Sequence, residues 1–335
     1  MLGVGHLGKN HARCYHELPN VELVGVVDPS PENAKAVEEK LGVPTYPELT
    51  DELLDEVHAV SVVTPTPTHF EVAKRCMAAG VSTLVEKPMT STLDEAHQLC
   101  AIAEEQGVTL QVGHIERFNP VVLAAVPHVV SPVFIECDRI HPFSFRSVET
   151  SVVLDLMIHD IDLVLQLVGA PAQRLDAAGA RILSETEDLA STRLSFENGC
   201  VAMFKASRVA IRKSRKMRIF CEESYISLDY VARTGMKISM KDGFDRSKVD
   251  FREMAAREEE TGTLPIFTEF LRIEQLDIAD DEPLKSELAS FADSVRSGRT
   301  PVVTGQHGLQ AIEIATQIED SIRKHHELYV EKRQD

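Results

Sequence analysis

The first 28 residues, MLGVGHLGKNHARCYHELPNVELVGVVD, decide how the chain begins to fold. Glycines at positions 3, 5 and 8 form a G-x-G-x-x-G pattern directly before Lys9–Leu18, whose apolar residues have helical spacing. Val21–Val27 follows as an apolar run rich in β-branched residues, which is typical of a buried strand. A glycine turn, a helix and a strand in this order indicate a βαβ unit.

A central first strand should precede Gly3 in such a unit, but only Met1 and Leu2 stand before it. Loss of four or five buried strand residues would remove on the order of 8 kcal/mol of stabilisation, which is comparable with the stability of a whole domain. We therefore expect the biological start to lie several codons upstream of Met1, an expectation that mass spectrometry of the native protein tests.

Short apolar runs and helical segments keep alternating up to about residue 116. The predicted strands are Val21–Val27, Ala59–Val63, Thr83–Val85 and Thr109–Val112, and the helices between them are Pro31–Leu41, Thr68–Ala79 and Thr92–Gln106. Strand–helix alternation of this kind gives right-handed crossovers and a parallel sheet. Residues 1–116 are therefore predicted to form an α/β domain of the Rossmann type, with a doubly wound parallel sheet.

Beyond residue 116 the pattern changes to longer, often alternating strands. These are Val133–Ile140, Arg174–Leu183, Thr192–Phe196, Cys200–Ala206, Lys216–Phe220 and Tyr225–Tyr230. Asn198-Gly199 between two of them favours a hairpin turn, and Pro283–Arg296 and Gln306–Lys324 have helical spacing. Residues 117–335 are therefore predicted to form an α+β domain with an open, largely antiparallel sheet that binds substrate and mediates oligomerisation.

Composition and charge exclude several classes of protein. The chain of 335 residues is 43% hydrophobic and carries a net charge of −18, a field that repels nucleic acid and anionic membranes. Its six cysteines form no C-x-x-C pair, as expected for reduced thiols in the cytoplasm. The one dense basic run, between Arg208 and Arg218, is either a solvated strand edge or a wall facing a phosphate group.

The glycine pattern predicts a dinucleotide site, because bare glycine backbone and a helix N-terminus receive a pyrophosphate. Asp28, twenty residues after Gly8, is placed to bind the adenosine ribose and favours NAD over NADP. Ligands of such sheets lie outside the carboxyl ends of the strands. The predicted NAD contacts are Gly3, Gly5, His6, Leu7, Gly8, Asp28, Thr64, Pro65, Thr66, His69, Glu86 and Lys87. A glycine turn in a flavodoxin-like sheet is the alternative.

The helical run Val152–Val168, VVLDLMIHDIDLVLQLV, is apolar on nearly all sides yet contains Asp155, His159, Asp160 and Asp162. Buried ionisable groups are expensive unless they are paired or used, so this helix is a candidate site. Asp155 and His159 project from one face, and the imidazole is a candidate general base. A structural His–Asp pair is an alternative. A metal site is disfavoured because no cysteine or second clustered histidine completes a ligand set.

In series, these motifs resemble the Gfo/Idh/MocA family of oxidoreductases. The resemblance rests on GxGxxGxxHA at Gly3–Ala12, on EKP at residues 86–88 and on D-x-x-x-H at 155–159. Val112–Pro120, VGHIERFNP, is similar to a segment of the UDP-N-acetylglucosamine 3-dehydrogenases within that family and of their uronate relatives. The resemblance implies NAD-dependent oxidation of a sugar hydroxyl, most specifically at C3 of a UDP-N-acetylhexosamine.

The resemblance also implies roles for individual residues. Lys87 and His159 would flank the reacting carbon, with either one as the base, and Asp155 would help to position the hydroxyl. The expected substrate contacts are His114, Arg117, Asn119, Arg146, Asp155 and His159, with Arg208 as a weaker candidate. Members of the family associate through the open sheet, which implies a homodimer or homotetramer. A dehydrogenase of a free polyol or monosaccharide and a non-catalytic NAD-binding regulator are the alternatives.

Overall fold

The computed structural model describes the chain except for residues 146–147, 244, 246–248, 263–269 and 335. Its first part contains helices α1 (Gly8–Glu17), α2 (Pro31–Leu41), α3 (Asp51–Asp55), α4 (His69–Ala78) and α5 (Leu93–Gln106), together with strands β1 (Val26–Val27), β2 (Thr45–Tyr46), β3 (Ala59–Val62), β4 (Ser82–Glu86) and β5 (Leu110–Gly113). Short 3₁₀ turns occupy Thr66–Thr68 and Ile115–Phe118.

Local sequence explains where these helices begin and end. The side chain of Thr92 accepts a hydrogen bond from the backbone of Glu95, whose own side chain reaches back in a capping box, so α5 starts at Leu93. Ser30 caps α2 in the same way, with Pro31 at the first helical position. Both helices end at a glycine with positive φ, Gly42 and Gly107, as expected.

The strands of the first part form a parallel sheet on both sides of Leu2. Leu2 bridges Val27 of β1 and Val62 of β3, so the order across the sheet is β2, β1, Leu2, β3, β4, β5. This is a doubly wound, Rossmann-type arrangement, which confirms the predicted fold class. The predicted strand Val21–Val27 is reduced to Val26–Val27, because residues 21–25 have no ladder partner in the described part of the chain; residues 20–25 line a groove of about 640 Å³.

The second part contains helices α6 (Pro120–Ala125), α7 (Ile158–Val168), α8 (Phe251–Thr261), α9 (Pro283–Ser297) and α10 (Gly305–Gln334), with a 3₁₀ turn at Val126–His128 and a π turn at Val153–Met157. Its strands are β6 (Pro132–Ile140), β7 (Ala172–Ala180), β8 (Leu189–Phe196), β9 (Val201–Ser207), β10 (Ser214–Cys221), β11 (Ser224–Asp229), β12 (Thr234–Met240) and β13 (Leu271–Gln275).

These strands form one open sheet in the order β13-β12-β11-β10-β6-β9-β8-β7. All neighbours are antiparallel except β6 and β9, so the predicted largely antiparallel sheet is confirmed. Gly199, with φ of 87°, makes the predicted hairpin between β8 and β9. The edge strand β13 and its neighbour β12 were not predicted, because most of their side chains are only half-buried or exposed and give no clear apolar alternation.

One face of the open sheet holds the core, and the other carries half-buried and exposed side chains. Helix α7 and the C-terminal helix α10 pack on the core face, and α10 also packs against α5 of the parallel sheet. The chain therefore returns to its first part: Val112 donates a backbone hydrogen bond to Val303. The domain boundary between residues 116 and 117 stays a prediction. Within the described residues, every helix is too short or too polar to cross a membrane.

Candidate active site

Three glycines form the turn at the start of α1, and glycine is present at each position for a different structural reason. Gly3 has φ of +82°, and an added Cβ would stand 2.8 Å from the carbonyl oxygen of Val63. A Cβ on Gly8 would stand 1.9 Å from the carbonyl oxygen of Gly3. At Gly5 a Cβ would meet nothing within 4 Å, so this backbone faces open space. Gly3 and Gly8 build the turn, and Gly5 leaves the room that a pyrophosphate needs.

Asp28 lies at the end of β1, next to this turn. Its Oδ2 accepts a hydrogen bond from the amide of Val4 at 2.7 Å, and Oδ1 accepts one from Ser30 at 2.9 Å. The two amides fix the carboxylate beside the glycine turn and leave each oxygen a second lone pair. The arrangement fits the adenosine ribose of NAD, and a 2′-phosphate beside Asp28 would be repelled.

The loops that follow β3 and β4 are joined by His69. One ring nitrogen, Nδ1, lies 3.0 Å from the carbonyl oxygen of Pro88, and Nε2 lies 2.8 Å from that of Thr64. The imidazole is 1% exposed and both of its nitrogens are engaged. His69 therefore braces two loops of the cleft, and its direct contact with the cofactor stays a prediction. Thr64, Pro65 and Thr66 remain on the loop itself, half-buried or exposed.

Glu86, at the end of β4, is a buried carboxylate beneath the cleft. His11 Nε2 of α1 lies 3.1 Å from Glu86 Oε1, and the amide of Lys87 donates to Oε2 at 3.1 Å. Burial raises the pKa of Glu86, but pairing with His11 and the charge of Lys87 outweigh burial, so the pKa lies below its ordinary value. A Cβ on Gly113 would stand 2.8 Å from the Glu86 carboxyl carbon, which requires glycine there. Glu86 thus organises the loop, and its contact with the cofactor stays a prediction.

The structure brings Lys87 and Asp155 together. Lys87 Nζ donates to the main-chain oxygen of Asp155 at 2.7 Å and lies 3.3 Å from Asp155 Oδ1. Both side chains keep partial access to the cleft, at 17% and 29% exposed. Asp155 lies in the π turn Val153–Met157, a local widening of the helix that recurs at functional sites.

His159 follows on α7, one helical turn after Asp155. Its Nδ1 is buried with no hydrogen-bond partner among the described residues. Burial lowers the pKa of His159 well below its ordinary value, and the charges of Lys87 and Arg139 lower it further. The imidazole is therefore neutral near pH 7, as a general base must be before it accepts a proton.

Beneath His159 lies a buried ionic chain that sequence reasoning missed. Arg139 of β6 makes two hydrogen bonds to Asp160, at 2.9 and 2.7 Å, and one to Glu116 at 2.9 Å. Asn119 donates to the other oxygen of Glu116 at 2.7 Å. This ionic chain connects Asp160, the neighbour of His159, to the open sheet and to the turn after β5. Because its members are far apart in sequence, no local motif reveals this ionic chain. The one available signal was that Arg139 occupies an inward-facing position on a strand with alternating burial.

Two of the predicted substrate contacts are used inside the protein. Arg117 is 3% exposed and bonds Asp162 through two nitrogens, at 2.6 and 2.8 Å, so it braces the turn after β5 against α7. Asn119 bonds Glu116 and caps α6 at Val121. Both side chains have partners within the protein, and their role as substrate contacts stays a prediction. Arg146 lies outside the described residues.

His114 and Arg208 are also buried. His114 is 1% exposed, and burial lowers the pKa of its imidazole. Arg208 bonds Asp188 at 2.7 Å and the carbonyl oxygen of Thr150 at 2.8 Å, which holds the chain that leads into the π turn. As a result, Arg208 is not part of a wall that faces a phosphate. In the described part of the chain, no group of three or more His, Cys, Asp or Glu side chains is placed to hold a metal ion.

Comparison with known proteins identifies the family. Residues 1–114 match the model "Oxidoreductase family, NAD-binding Rossmann fold", and residues 139–227 match the "GFO/IDH/MocA C-terminal domain". The chain belongs to the Gfo/Idh/MocA family and is an NAD-dependent oxidoreductase that acts on hydroxyl groups of the sugar and polyol class. Its cofactor is NAD.

Two relatives bear on the substrate. UDP-N-acetylglucosamine 3-dehydrogenase from Acidithiobacillus ferrooxidans is 35% identical over 95% of each chain, and its solved structure superimposes with a TM-score of 0.82 over 96% of each chain. The NAD(+)-dependent scyllo-inositol 2-dehydrogenase from Bacillus subtilis is 27% identical over 96% of this chain and 93% of its own. Nucleotide sugars and free polyols are thus both represented among the relatives.

Proposed function

We propose that the enzyme oxidises the C3 hydroxyl of a UDP-N-acetylhexosamine, UDP-GlcNAc or its uronate, with reduction of NAD. The observation that carries the proposal is the contact of Lys87 with Asp155, one turn before a neutral His159, in a chain 35% identical to a UDP-N-acetylglucosamine 3-dehydrogenase. The second candidate, oxidation of a free polyol, is favoured by the inositol dehydrogenases among the relatives.

In this proposal each side chain has a separate task. The neutral imidazole of His159 accepts the proton of the C3 hydroxyl. The Lys87 ammonium group, held in place by the main-chain oxygen of Asp155, stabilises the negative charge that develops on that oxygen. The carboxylate of Asp155 accepts a hydrogen bond from the substrate and orients the hydroxyl group. The reverse assignment, with Lys87 as the base, is the alternative for the same pair.

The turn from Gly3 to Gly8 would hold the pyrophosphate of the dinucleotide, and Asp28 would bind its ribose. When bound, NAD supplies the nicotinamide ring that accepts the hydride from C3, so that the products are the 3-keto sugar and NADH. Lys87 comes directly after β4, at the carboxyl end of the parallel sheet, which is the end where such sheets bind their ligands.

An assay of NADH formation with UDP-GlcNAc, its uronate and myo-inositol tests the proposal. Turnover of either UDP-sugar with little turnover of myo-inositol supports it, and the opposite preference assigns the enzyme to the polyol class. In parallel, a UDP-sugar should raise the melting temperature of the NAD-loaded enzyme, because a ligand that binds only the folded state stabilises it.

We also propose a homodimer or homotetramer that associates through the outer face of the open sheet. This face carries Phe134, Phe220 and Tyr225 as neighbouring rings, with centroids 6.0 and 4.8 Å apart. Size-exclusion chromatography with light scattering tests the association. The expected cytoplasmic location stays a prediction.

A further inference from the structure

We infer that Arg215 and Lys213 form an anion subsite that holds the diphosphate of the nucleotide-sugar substrate. The inference rests on the proposed function and adds to it the group that selects a nucleotide sugar over a free one. The supporting observation is that two neighbouring cations lie beside the catalytic centre. Acidic side chains of the described residues neutralise their positive charges only in small part.

Arg215 lies opposite another arginine. The register of β10 with β6 pairs Arg215 with Arg139, and like charges directly across a sheet repel. Arg139 is compensated by Asp160 and Glu116, as described above. Among the described residues, the acidic group that Arg215 approaches is Glu116 Oε1, at 3.8 Å, an oxygen that already accepts from Arg139 at 2.9 Å. The shared carboxylate leaves the charge of Arg215 without a full partner.

Lys213 adds a second charge at the same place. It precedes β10 by one residue, and no acidic side chain of the described chain lies within ion-pair distance of its amino group. The charge of Arg215 lowers the pKa of Lys213, with burial as a lesser cause, which shows that the two cations act on each other. In a protein of net charge −18, two neighbouring cations whose acidic partner in the described part of the chain is a carboxylate already shared with Arg139 indicate an anionic ligand.

The pair lies on the side of the sheet that contains the catalytic residues. Arg215 lies on the same face of β10 as the buried Met217 and Ile219, so it points to the core face against which α7 packs. Burial and Arg139 lower the pKa of Arg215, whereas Glu116, Asp160 and Asp155 raise it, and its own charge contributes to the lowered pKa of His159. The geometry agrees: Arg215 lies opposite Arg139, whose guanidinium bonds Asp160 at 2.7 Å, and Asp160 directly follows His159.

This position suits the diphosphate of a substrate oxidised at C3. In a nucleotide hexose the diphosphate oxygen is attached to C1, two ring bonds from C3, so an anion must lie close to the catalytic pair whenever C3 is in place. The planar guanidinium of Arg215 matches two phosphate oxygens, and Lys213 offers a mobile point charge from the loop. A free polyol would bring no anion to this pair.

The experiment measures binding of UDP to the NAD-loaded enzyme by calorimetry, for the wild type and for Arg215→Gln and Lys213→Gln. Each substitution removes a charge-assisted contact and should weaken UDP binding roughly tenfold or more. The KM for UDP-GlcNAc should rise in both variants, and added salt should weaken UDP binding less in them than in the wild type. Lys213 lies in an exposed loop, so Lys213→Gln should not affect folding. This variant therefore still tests the subsite if Arg215→Gln lowers stability.

Lys216→Gln is the matched control. Lys216 lies on the same strand but on the opposite face, where it pairs with Asp229 at 3.4 Å, so loss of this charge should leave UDP affinity unchanged. Equal UDP affinity in the wild type and both test variants would overturn the inference. So would an effect seen only with the uronate, since that assigns the cations to its carboxylate. Failure of the wild type to oxidise any UDP-sugar would instead reject the proposed function itself.

Discussion

The amino group of Lys87 is held by the main-chain oxygen of Asp155 across 2.7 Å, so the loop after β4 is fastened to the π turn that precedes α7. A lysine on a loop is ordinarily a mobile surface charge, because its side chain loses considerable rotamer freedom when fixed. Here the carbonyl and the carboxylate of one residue direct it towards the cleft. The contact joins the two parts of the chain at the point where the chemistry is proposed.

Replacement of Lys87 by methionine should lower kcat by about 10²- to 10⁴-fold, the range of a lost acid–base or charge-stabilising group. NAD affinity should stay within a few-fold, because the glycine turn and Asp28 are untouched. Steady-state kinetics and NAD titration measure the two effects. Lys35→Met makes the same change on the surface of α2, at a side chain 73% exposed, and should leave kcat unchanged. Normal turnover by Lys87→Met would remove Lys87 from the mechanism.

Much of this arrangement could be predicted from the sequence, because it depends on local patterns. The capping box at Thr92, the glycines after α2 and α5 and the alternation of the strands are signals within a few residues of one another. They placed most elements of both sheets within about two residues. Strand β1 was predicted too long, since the sequence could not show that residues 20–25 have no strand beside them. The π turn Val153–Met157 was not predicted either, because no local sequence pattern specifies such a turn.

The site was less predictable, because charge on a side chain does not show where its partner lies. Arg117 and Arg208 looked free in the sequence, but each is paired with an aspartate distant in the chain, Asp162 and Asp188. Arg215, which the sequence offered only as one member of the basic run, has a weaker partner, Glu116 at 3.8 Å. Such pairings depend on how helices pack against sheets. Hydrophobic periodicity describes one helix or strand at a time, so it cannot predict which charged side chains meet.

The pH dependence of catalysis should report His159. Burial lowers the pKa of this imidazole well below its ordinary value of about 6.5, so His159 stays neutral as the pH falls through 6.5 and gains a proton only at lower pH. The acidic limb of kcat/KM should therefore have its midpoint below pH 6.5. His159→Asn should lose most of the rate together with that limb. A midpoint above 6.5 in the wild type would contradict the assignment of His159 as the base.

The buried ionic chain should contribute to stability more than any surface pair. Asp160→Asn leaves Arg139 buried with Glu116 as its remaining partner, and loss of one member of a buried pair costs about 3–5 kcal/mol. Urea unfolding measures the change. The control is Asp242→Asn, which makes the same substitution at a side chain 94% exposed and paired with Arg272, and it should change stability by less than about 1 kcal/mol. Equal effects of the two substitutions would show that Asp160 is not a structural anchor.

Substitutions at Gly5 and Gly42 distinguish an effect on cofactor binding from an effect on the stability of the fold. A Cβ on Gly5 meets nothing within 4 Å and the backbone there has no positive φ, so Gly5→Ala should leave the stability of the NAD-free enzyme unchanged or slightly raised. The same methyl group would occupy the space of the pyrophosphate and should weaken NAD binding by at least about tenfold. Gly42→Ala does the reverse: with φ of +68° at the end of α2, it should cost about 1 kcal/mol of stability and leave NAD affinity unchanged. Thermal unfolding without NAD and fluorescence titration with NAD measure both quantities. Unaltered NAD affinity in Gly5→Ala would place the dinucleotide elsewhere.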